Sequence, residues 1–178
     1  MYQITGKTYR CAANRKQIRE LYKSAFPKEE RLPWPIMRLL ACQKCVNITG
    51  YYDHDTFCGF TYDVCVGDMV FIMFFAVEES SRGKGFGSAI LSYLKEQNPG
   101  KTILLNIEPL DEQADNFGQR LSRYHFYQKN GFFDTGYLIN EVGGTFTVMS
   151  TDPHLDTSAY QTVFTSISFG LWKPQIFR

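Results

Sequence analysis

A glycine-rich turn directly after an apolar run carries the residues best suited to chemistry. Residues 82–87 read Arg-Gly-Lys-Gly-Phe-Gly, and a helix is predicted over residues 88–97. Because glycines let backbone N–H groups approach a ligand closely, and because a helix N-terminus carries partial positive charge, such a turn is suited to binding phosphate. The residues predicted to bind it are Arg82, Gly83, Lys84, Gly85, Phe86, Gly87 and Ser88.

The spacing of the glycines separates three phosphate-binding templates. Gly83, Gly85 and Gly87 are spaced two and two, whereas a dinucleotide-binding fingerprint needs G-x-G-x-x-G. Lys84 follows the first glycine, whereas a nucleoside-triphosphate loop has its lysine after the last one. The pattern R-x-x-G-x-G is satisfied by Arg82, Gly85 and Gly87. A glycine-rich turn that only begins a helix remains the simpler alternative.

A second segment further along the chain favours one template. Residues 126–132, Phe-Tyr-Gln-Lys-Asn-Gly-Phe, close a predicted helix, and residues 77–91 read VEESSRGKGFGSAIL. Together the two segments resemble the acetyl-CoA-binding motif and the end of the next conserved motif of the GNAT superfamily of N-acetyltransferases. The resemblance covers about residues 69–132, and outside that range it is one of architecture alone.

The resemblance implies that acetyl-CoA is the cosubstrate and that no metal is needed. The turn at residues 82–88 would bind the coenzyme A pyrophosphate, with Arg82 and Lys84 adding charge from the rim. In the family, the strands that match residues 69–77 and 102–107 splay apart, so that the pantetheine arm bonds to the edge of the first. The strand residues predicted to bind this arm through their backbone are Phe75, Ala76 and Val77.

Acetyl transfer to an amine needs a base for the nucleophile and an acid for the departing thiolate. The absence of a Ser/His/Asp or Cys/His pattern favours direct transfer through a ternary complex and a tetrahedral intermediate. The resemblance places Tyr127 at the general acid, although its helical spacing also suits a core ring. Glu108, at the end of a buried strand, is the predicted base, acting directly, through water or as an anionic anchor. Glu78 and Glu79 compete for that role, but they are better explained as shaping the turn.

Two positions depart from the family pattern. Arg120 and Arg123 stand where the family often carries Asn and Ala, seven and four residues before the motif tyrosine. An asparagine contact to the cofactor is therefore not carried over. Arg123 could pair with Glu108, bind a phosphate or be solvated.

The elements that position these residues follow from hydrophobic periodicity and from breaker residues. Their order predicts a mixed α/β fold, and the resemblance makes it a GNAT-like acyl-CoA N-acyltransferase fold. Its central mixed, mostly antiparallel sheet would have splayed middle strands and flanking helices. Strands are predicted at residues 3–10, 46–52, 56–64, 69–77, 102–107, 132–140 and 145–150, with a last hairpin around Gly143-Gly144. Helices are predicted at residues 14–25, 34–44, 88–97, 116–130 and 157–168.

The 178 residues are expected to form one acetyltransferase domain over residues 1–178, with an acetyl-CoA-binding core at about 69–132. The predicted substrate-side elements are about 14–45, 109–115 and 133–150. Acidic residues in and before the loop favour a cationic small amine, while a peptide amine and a homodimer stay open. These acidic residues are Glu108, Asp111, Glu112 and Asp115.

Composition excludes several classes of function. Lys+Arg 19 against Asp+Glu 18, with no basic stripe noted on any predicted helix, argues against a nucleic-acid partner. No membrane span or signal peptide is evident, so a soluble cytoplasmic protein is expected. Cys42 and Cys45 form a CxxC that suits a redox pair or half a zinc site, but reduced structural thiols are expected because no second pair follows.

Two rival functions come from other classes. A non-catalytic acyl-CoA-binding or sensing module would keep the loop at residues 82–88 without needing Tyr127 or Glu108. A dinucleotide oxidoreductase is disfavoured by the glycine spacing and by the antiparallel first half of the chain.

Overall fold

The protein, described by a computed structural model over residues 2–9, 12–141 and 144–178, alternates strands with helices. The strands in these ranges are β1 (Ile4–Thr8), β2 (Val46–Asp53), β3 (Thr56–Val66), β4 (Met69–Val77), β5 (Thr102–Ile107), β6 (Phe133–Glu141), β7 (Gly144–Ser150) and β8 (Ile176–Phe177). The α-helices are α1 (Ala12–Ala25), α2 (Trp34–Leu40), α3 (Phe86–Gln97), α4 (Phe117–Lys129) and α5 (Thr157–Ile167). Short 3-10 helices form at Lys28–Glu30 and Glu79–Ser81.

The strands form an eight-stranded sheet in the order β1-β2-β3-β4-β5-β7-β6-β8. The β1–β2, β2–β3, β5–β7, β6–β7 and β6–β8 pairs are antiparallel. The predicted class, a mixed α/β fold built on a mostly antiparallel sheet, is confirmed.

The chain divides into two compact units. The first unit comprises residues 1–65 and 72–99, and the second comprises residues 66–71 and 100–178. Strand β4 contributes to both units, because its first three residues belong to the second. A single acetyltransferase domain over residues 1–178 stays a prediction.

The first unit is built around aromatic rings, as the aromatic-rich composition requires. The ring of Tyr22 on α1 lies 5.0 Å from that of Phe74 on β4 and 5.7 Å from that of Trp34 on α2. Phe60 of β3 lies 6.3 Å from Tyr22, at a steep angle. Such tilted and edge-on pairs each add about 0.5–1.5 kcal/mol beyond burial of their area, so they fix α1 and α2 against the strands.

The second unit packs α5 onto the first residues of β4. The ring of Phe71 lies 5.6 Å from that of Tyr160 and 5.1 Å from that of Phe164. Asp156 begins α5, and its carboxylate accepts hydrogen bonds from the backbone N–H groups of Ser158 and Ala159. That side-chain cap satisfies donors that a helix start otherwise leaves without partners.

Apart from shifts of one or two residues at the ends of elements, the structure differs from the predicted elements at two points. Helix α2 ends at Leu40, so the predicted extension to residue 44 is wrong, because the Cys45 carbonyl accepts from Cys65 N at 2.7 Å and joins the sheet. Strand β8 was not predicted, since two residues carry no periodicity and their pairing with β6 comes from tertiary structure. Arg10 and Gly143, placed by prediction in the first strand and in the last hairpin, lie outside the described residues.

Helices in the described ranges include none with the length and apolar character that a membrane crossing requires.

Candidate functional site

The loop before α3 has the backbone shape that its glycines predicted. Gly83 and Gly85 have φ values of +71° and +88°, in the left-handed region that other residues rarely adopt. Gly85 is also the N-cap residue that directly precedes α3, so the helix start has no side-chain cap. The N-terminus of α3 is therefore left open to an external acceptor.

The first backbone donors of α3 have no acceptor within the helix. Ala89 N donates to Gly85 O at 3.1 Å, and it is the first residue of α3 to make such a bond. Phe86, Gly87 and Ser88 come before it, so their N–H groups belong to the unpaired first turn. Together with the helix dipole, these donors form an anion site whose preceding turn is exposed.

Two side chains hold this loop in place. Arg82 Nε donates to Val77 O at 3.1 Å, which fastens the loop to the end of β4. The Tyr2 hydroxyl donates to Lys84 O, and the Tyr2 ring lies 4.1 Å from that of Phe86. No local sequence pattern indicates this role of Tyr2, because the contact joins residues 82 positions apart.

The residues predicted to bind pantetheine lie at the end of β4. The side chains of Phe75 and Val77 pack onto a buried cluster that contains Tyr51, Cys58 and Ile90. Their side chains therefore serve the core, which agrees with the prediction that only backbone groups bind the cofactor. Because Arg82 already donates to the Val77 carbonyl, the role of that carbonyl in pantetheine binding stays a prediction.

Glu78 and Glu79 build the turn between β4 and the loop. Glu78 N donates to Cys58 O at 2.8 Å, and Glu78 O accepts from Ser81 N at 2.8 Å. Glu79 O accepts from Arg82 N at 3.1 Å. These backbone contacts support the interpretation that the two residues shape the turn.

Glu108, in the second unit, is surrounded by hydrogen-bond donors. Two of them are arginines of α4, and the third is Asn116, which directly precedes that helix. Its Oε1 accepts from Asn116 Nδ2 at 2.9 Å, and its Oε2 lies 2.7 Å from Nη1 of Arg123. Arg120 Nη2 lies 3.3 Å from Oε1, while Arg120 also donates to Asn116 Oδ1 and Pro109 O. Of the three alternatives left open for Arg123, the structure shows the pairing with Glu108.

These contacts favour the ionised form of Glu108. Burial by itself would raise the pKa of Glu108, but the Asn116 hydrogen bond and the charges of Arg123 and Arg120 together lower it. A carboxylate held in this way accepts a proton poorly. Its predicted role as general base stays a prediction, and the contacts favour a structural role that ties β5 to α4.

Tyr127 lies near the end of α4 with its ring in the core. The residue is 7% exposed, and its ring lies 5.6 Å from that of Phe132 and 5.1 Å from that of Phe126. Throughout the described chain, no hydrogen bond to the Tyr127 hydroxyl is found, and no buried side-chain oxygen lacks a partner. We infer that the hydroxyl keeps contact with solvent although the ring is buried.

The Tyr127 phenol is protonated at neutral pH. Burial raises the pKa of Tyr127 to about 12, against a smaller lowering by the positive charge of Arg123. A neutral phenol that reaches solvent can donate a proton to a bound group. The packing of the ring supports the core-ring interpretation, and the general-acid role of Tyr127 stays a prediction.

A second carboxylate of the second unit was missed by sequence reasoning. Glu141, at the end of β6, accepts a hydrogen bond from Asn106 Nδ2 of β5, and Asn106 Oδ1 accepts from the Tyr160 hydroxyl at 2.7 Å. Burial raises the pKa of Glu141 to about 7, and the Asn106 hydrogen bond opposes this only in part. A carboxylate with a pKa near neutrality, which no arginine is seen to pair within the described ranges, is suited to proton transfer.

The acidic approach predicted around residues 108–115 is partly neutralised. Arg120 and Arg123 face Glu108, and the Asp111 carboxylate accepts from Gln113 N at 3.0 Å within the loop itself. These contacts weaken the case for a cationic acceptor.

The cysteines that the structure describes form no disulfide bonds. Cys42 is exposed, Cys45 and Cys65 are half-buried, and Cys58 is buried. Across the ranges that the structure describes, His, Cys, Asp and Glu form no group of three or more that could hold a metal ion.

A family model covers most of the candidate site. The acetyltransferase (GNAT) domain model matches residues 45–133, which include the loop at 82–88, Glu108 and Tyr127. YjbC of Bacillus subtilis (strain 168), which bears a provisional acetyltransferase name, is 36% identical over 63 residues. This match covers 35% of the present chain and 30% of the relative, so it spans less than a third of the relative's length.

Solved structures share the fold over nearly the whole chain. A protein from Bacteroides thetaiotaomicron, assigned provisionally as a GNAT-family acetyltransferase, has a TM-score of 0.75 at 22% identity and covers 96% of this chain and 99% of its own. An aminoglycoside 6'-N-acetyltransferase complexed with coenzyme A has a TM-score of 0.65 at 21% identity, over 86% of this chain and 99% of its own. At such identities the likeness concerns the fold.

Proposed function

The chain belongs to the acetyltransferase (GNAT) family, and on that premise we propose that it moves an acetyl group from acetyl-CoA directly to a primary amine. The observation that carries this proposal is the uncapped N-terminus of α3 behind the left-handed Gly83 and Gly85. The coenzyme A complex of a protein with this fold is consistent with it.

Three backbone donors at the start of α3 would bind the coenzyme A pyrophosphate. The N–H groups of Phe86, Gly87 and Ser88 are available, and the exposed Lys84 adds positive charge beside them. Tyr2 and Arg82 hold the loop in shape before the ligand arrives, which reduces the ordering cost of binding. Pantetheine binding along the backbone of residues 75–77 is part of the same proposal.

Tyr127 is proposed as the general acid. The amine nitrogen forms a bond to the thioester carbonyl carbon, the C–S bond breaks, and the sulfur takes the Tyr127 hydroxyl proton. The amine loses one proton to a base, so the acetylated amine and free coenzyme A balance the reaction. The protonated phenol and its contact with solvent support this role.

Glu141 is proposed as the proton acceptor in place of Glu108. A base with a pKa near the working pH combines an ionised population with useful basicity. Burial gives Glu141 that property, whereas Asn116, Arg120 and Arg123 hold Glu108 ionised. In this assignment Glu108 is a positioning residue that fixes α4, and hence Tyr127.

The alternative is a non-catalytic acyl-CoA-binding module. It would bind acetyl-CoA through the same loop, but substitution of Tyr127 or Glu141 would have no effect on any chemical step. The acceptor in either case is a primary amine of a small molecule or a peptide. A cytoplasmic location stays a prediction.

The first test separates cofactor binding from stability. Gly83→Ala and Gly100→Ala are matched, because both glycines are left-handed (φ +71° and +74°) and have no atom near an added Cβ. Each should lose about 1–2 kcal/mol of unfolding free energy. Only Gly83→Ala should weaken the rise in melting temperature that acetyl-CoA produces in the wild type. A rise with NAD or ATP but none with acetyl-CoA would contradict the cofactor assignment.

The second test addresses turnover. Purified protein with acetyl-CoA and a panel of amines is assayed for free thiol, and Tyr127→Phe should lower kcat by about 100-fold. Tyr124→Phe on the same helix is the control, since its hydroxyl contacts Asp134 and it should leave kcat unchanged. Acetyl-CoA binding without turnover on any amine would favour the non-catalytic module.

A further inference from the structure

A cavity of about 530 Å³ opens in the first unit between α1, α2 and the end of β1. Helix α1 supplies most of its wall, while Trp34 and Arg38 of α2 and Tyr9 complete it. None of the residues proposed for acetyl-CoA binding lines this cavity.

The wall of the cavity is strongly cationic. Arg15, Arg19 and Lys23 follow one another at intervals of four, so they form one ridge along α1. The sequence prediction that no helix carries a basic stripe is therefore wrong for α1. Lys16 and Arg38 add two more cations.

Among the residues that the structure describes, one carboxylate and five cations line the cavity. Glu20 lies 4.0 Å from Lys16, and both side chains are largely exposed, at 65% and 84%. Such a solvated pair contributes little, so the cavity keeps a net positive field. A small anion would be attracted to this wall.

Aromatic rings form the remaining surface. The rings of Trp34 and Tyr9 lie 5.8 Å apart at a steep angle, and the Arg15 guanidinium lies 5.5 Å from the Tyr9 ring. Trp34 is half-buried, and its ring is also 5.7 Å from that of Tyr22 in the core. A fixed, half-exposed indole beside cations suits a flat ring that carries a negative group.

The cavity is linked to the end of β4 through packed rings. Trp34 contacts Tyr22, and Tyr22 contacts Phe74 at 5.0 Å. Phe74 directly precedes residues 75–77, whose backbone is proposed to bind pantetheine. The buried rings of Tyr22 and Phe74 therefore lie between a ligand in the cavity and the strand that would present the acetyl group.

We propose that this cavity binds the acidic group of the acceptor, so that the substrate is an amine with a flat ring bearing a phosphate or a carboxylate. This inference rests on the proposed acetyl transfer. It replaces the cationic acceptor that the acidic residues 108–115 favoured, because that region is partly neutralised by arginines, while the described residues of α1 that line the cavity are four cations and one carboxylate.

The test uses three amines that differ only in the group opposite the aminoethyl chain. O-phosphotyramine carries a phosphate, 4-(2-aminoethyl)benzoate a carboxylate and tyramine a neutral hydroxyl. Binding is followed by the emission of Trp34 in a Trp172→Phe background, since the chain has two tryptophans. Phenylalanine should keep the ring contact that Trp172 makes with Phe164.

The matched variants remove two cations in each case. Arg19→Gln/Lys23→Gln removes them from the cavity wall, and Lys28→Gln/Lys44→Gln removes two exposed lysines elsewhere in the first unit. An anionic amine should bind at least about tenfold more tightly than tyramine, and this preference should weaken with salt. The wall variant should lose the preference and the control variant should keep it.

The transfer assay links the cavity to the acceptor. The anionic amine that binds should also show the higher kcat/KM for thiol release, and the wall variant should lower it without changing the melting shift from acetyl-CoA. The proposal would be overturned if tyramine bound as tightly as the anionic amines, or if both double variants lost the preference equally. It would also be overturned if kcat/KM for thiol release did not depend on the acidic group. Failure of the proposed function is distinct, since it would abolish thiol release with every amine while Trp34 still reports binding.

Discussion

Glu108 and Glu141 are carboxylates of the same unit whose surroundings differ in the number and charge of their donors. Glu108 receives an amide and two guanidinium groups, whereas Glu141 receives the amide of Asn106. The pKa of Glu108 is lowered by these donors against the effect of burial, while burial raises the pKa of Glu141 to about 7. When the surroundings of two carboxyl groups shift their pKa values in opposite directions, the two groups are suited to different roles. We assign a structural role to Glu108 and proton transfer to Glu141.

The comparison shows why position at a strand end is a poor guide to function. Glu108 was predicted to be the base because it lies at the end of a buried strand, yet Arg120 and Arg123 pair with it. The departure from the family pattern at these two positions thus has a structural consequence. For this reason the proton acceptor that we propose is Glu141, at the end of β6, and not Glu108.

The largest expected effect distinguishes the two carboxylates in catalysis. Glu141→Gln should lower kcat for thiol release by about 100-fold, because it removes a general base. Glu108→Gln should lower it by about tenfold or less, since it acts through the placement of α4. Both variants should keep the melting shift from acetyl-CoA. The reverse order of the two losses would exchange the roles of the two residues.

Removing the arginines should make Glu108 resemble Glu141. In Arg120→Gln/Arg123→Gln the half-buried carboxylate loses its charged partners, which should cost about 1–2 kcal/mol of unfolding free energy, because solvent screens a partly exposed pair. The pKa of Glu108 should rise, as followed by carbon NMR of its carboxyl group. Adding Glu108→Gln to this double variant should recover part of the loss. No recovery would show that the arginines stabilise the fold through other contacts.

Removing the amide partner should change the pKa of Glu141 more than that of Glu108. Asn106→Leu leaves Glu141 and the buried Tyr160 hydroxyl without their shared partner, and should cost about 1–3 kcal/mol. Asn116→Leu is the matched change at Glu108, where both arginines remain. In Asn106→Leu, titration of the carboxyl groups should show a further rise in the pKa of Glu141. In Asn116→Leu, the pKa of Glu108 should still lie below its ordinary value. Equal shifts would remove the distinction.

The pH dependence of stability should have opposite signs for the two residues. The folded-state pKa of Glu141 is raised from 4.5 to about 7, so its contribution is present below pH 4.5 and is lost as pH rises through 7. Glu108 has a lowered pKa, so its contribution is present above 4.5 and is lost as pH falls. In Glu141→Gln, the free energy of unfolding should decline less between pH 4.5 and 7 than in the wild type. In Glu108→Gln, it should fall less as the pH drops below 4.5. Denaturant unfolding across pH measures both.

Asp63 should also contribute to the decline of the unfolding free energy with rising pH. It is buried in β3, and burial raises its pKa to about 6, against hydrogen bonds from Thr61 and Asn47 that lower it. Its contribution is likewise lost as pH rises, so the decline should persist in part in Glu141→Gln. A flat profile in that variant would contradict this assignment.

The parts of the site that could be predicted from sequence are local. The loop at residues 82–88 and the end of α4 are contiguous segments, and their glycines and helix periodicity carry the information. The Glu141–Asn106–Tyr160 network joins residues 35 and 54 positions apart, and it exists because β5 and β6 both pair with β7. No spacing in the sequence indicates it.

One missed feature was within reach of sequence reasoning. Arg15, Arg19 and Lys23 are spaced by four in a helix that was predicted correctly, so their ridge follows from helix geometry alone. The contact of Tyr2 with the loop was not within reach, because it depends on where β1 places the chain before it. The same distinction between helical spacing and tertiary placement separates the predicted helices from the unpredicted network around Glu141.

The pH dependence of kcat for acetyl-CoA-dependent thiol release, at saturating amine, tests the central claim most directly. In the wild type kcat should rise with pH through an ionisation near 7, the pKa of Glu141. Glu141→Gln should lose that limb, and Glu108→Gln should keep it. An unchanged limb in Glu141→Gln, or no thiol release by the wild type with any amine, would contradict the account.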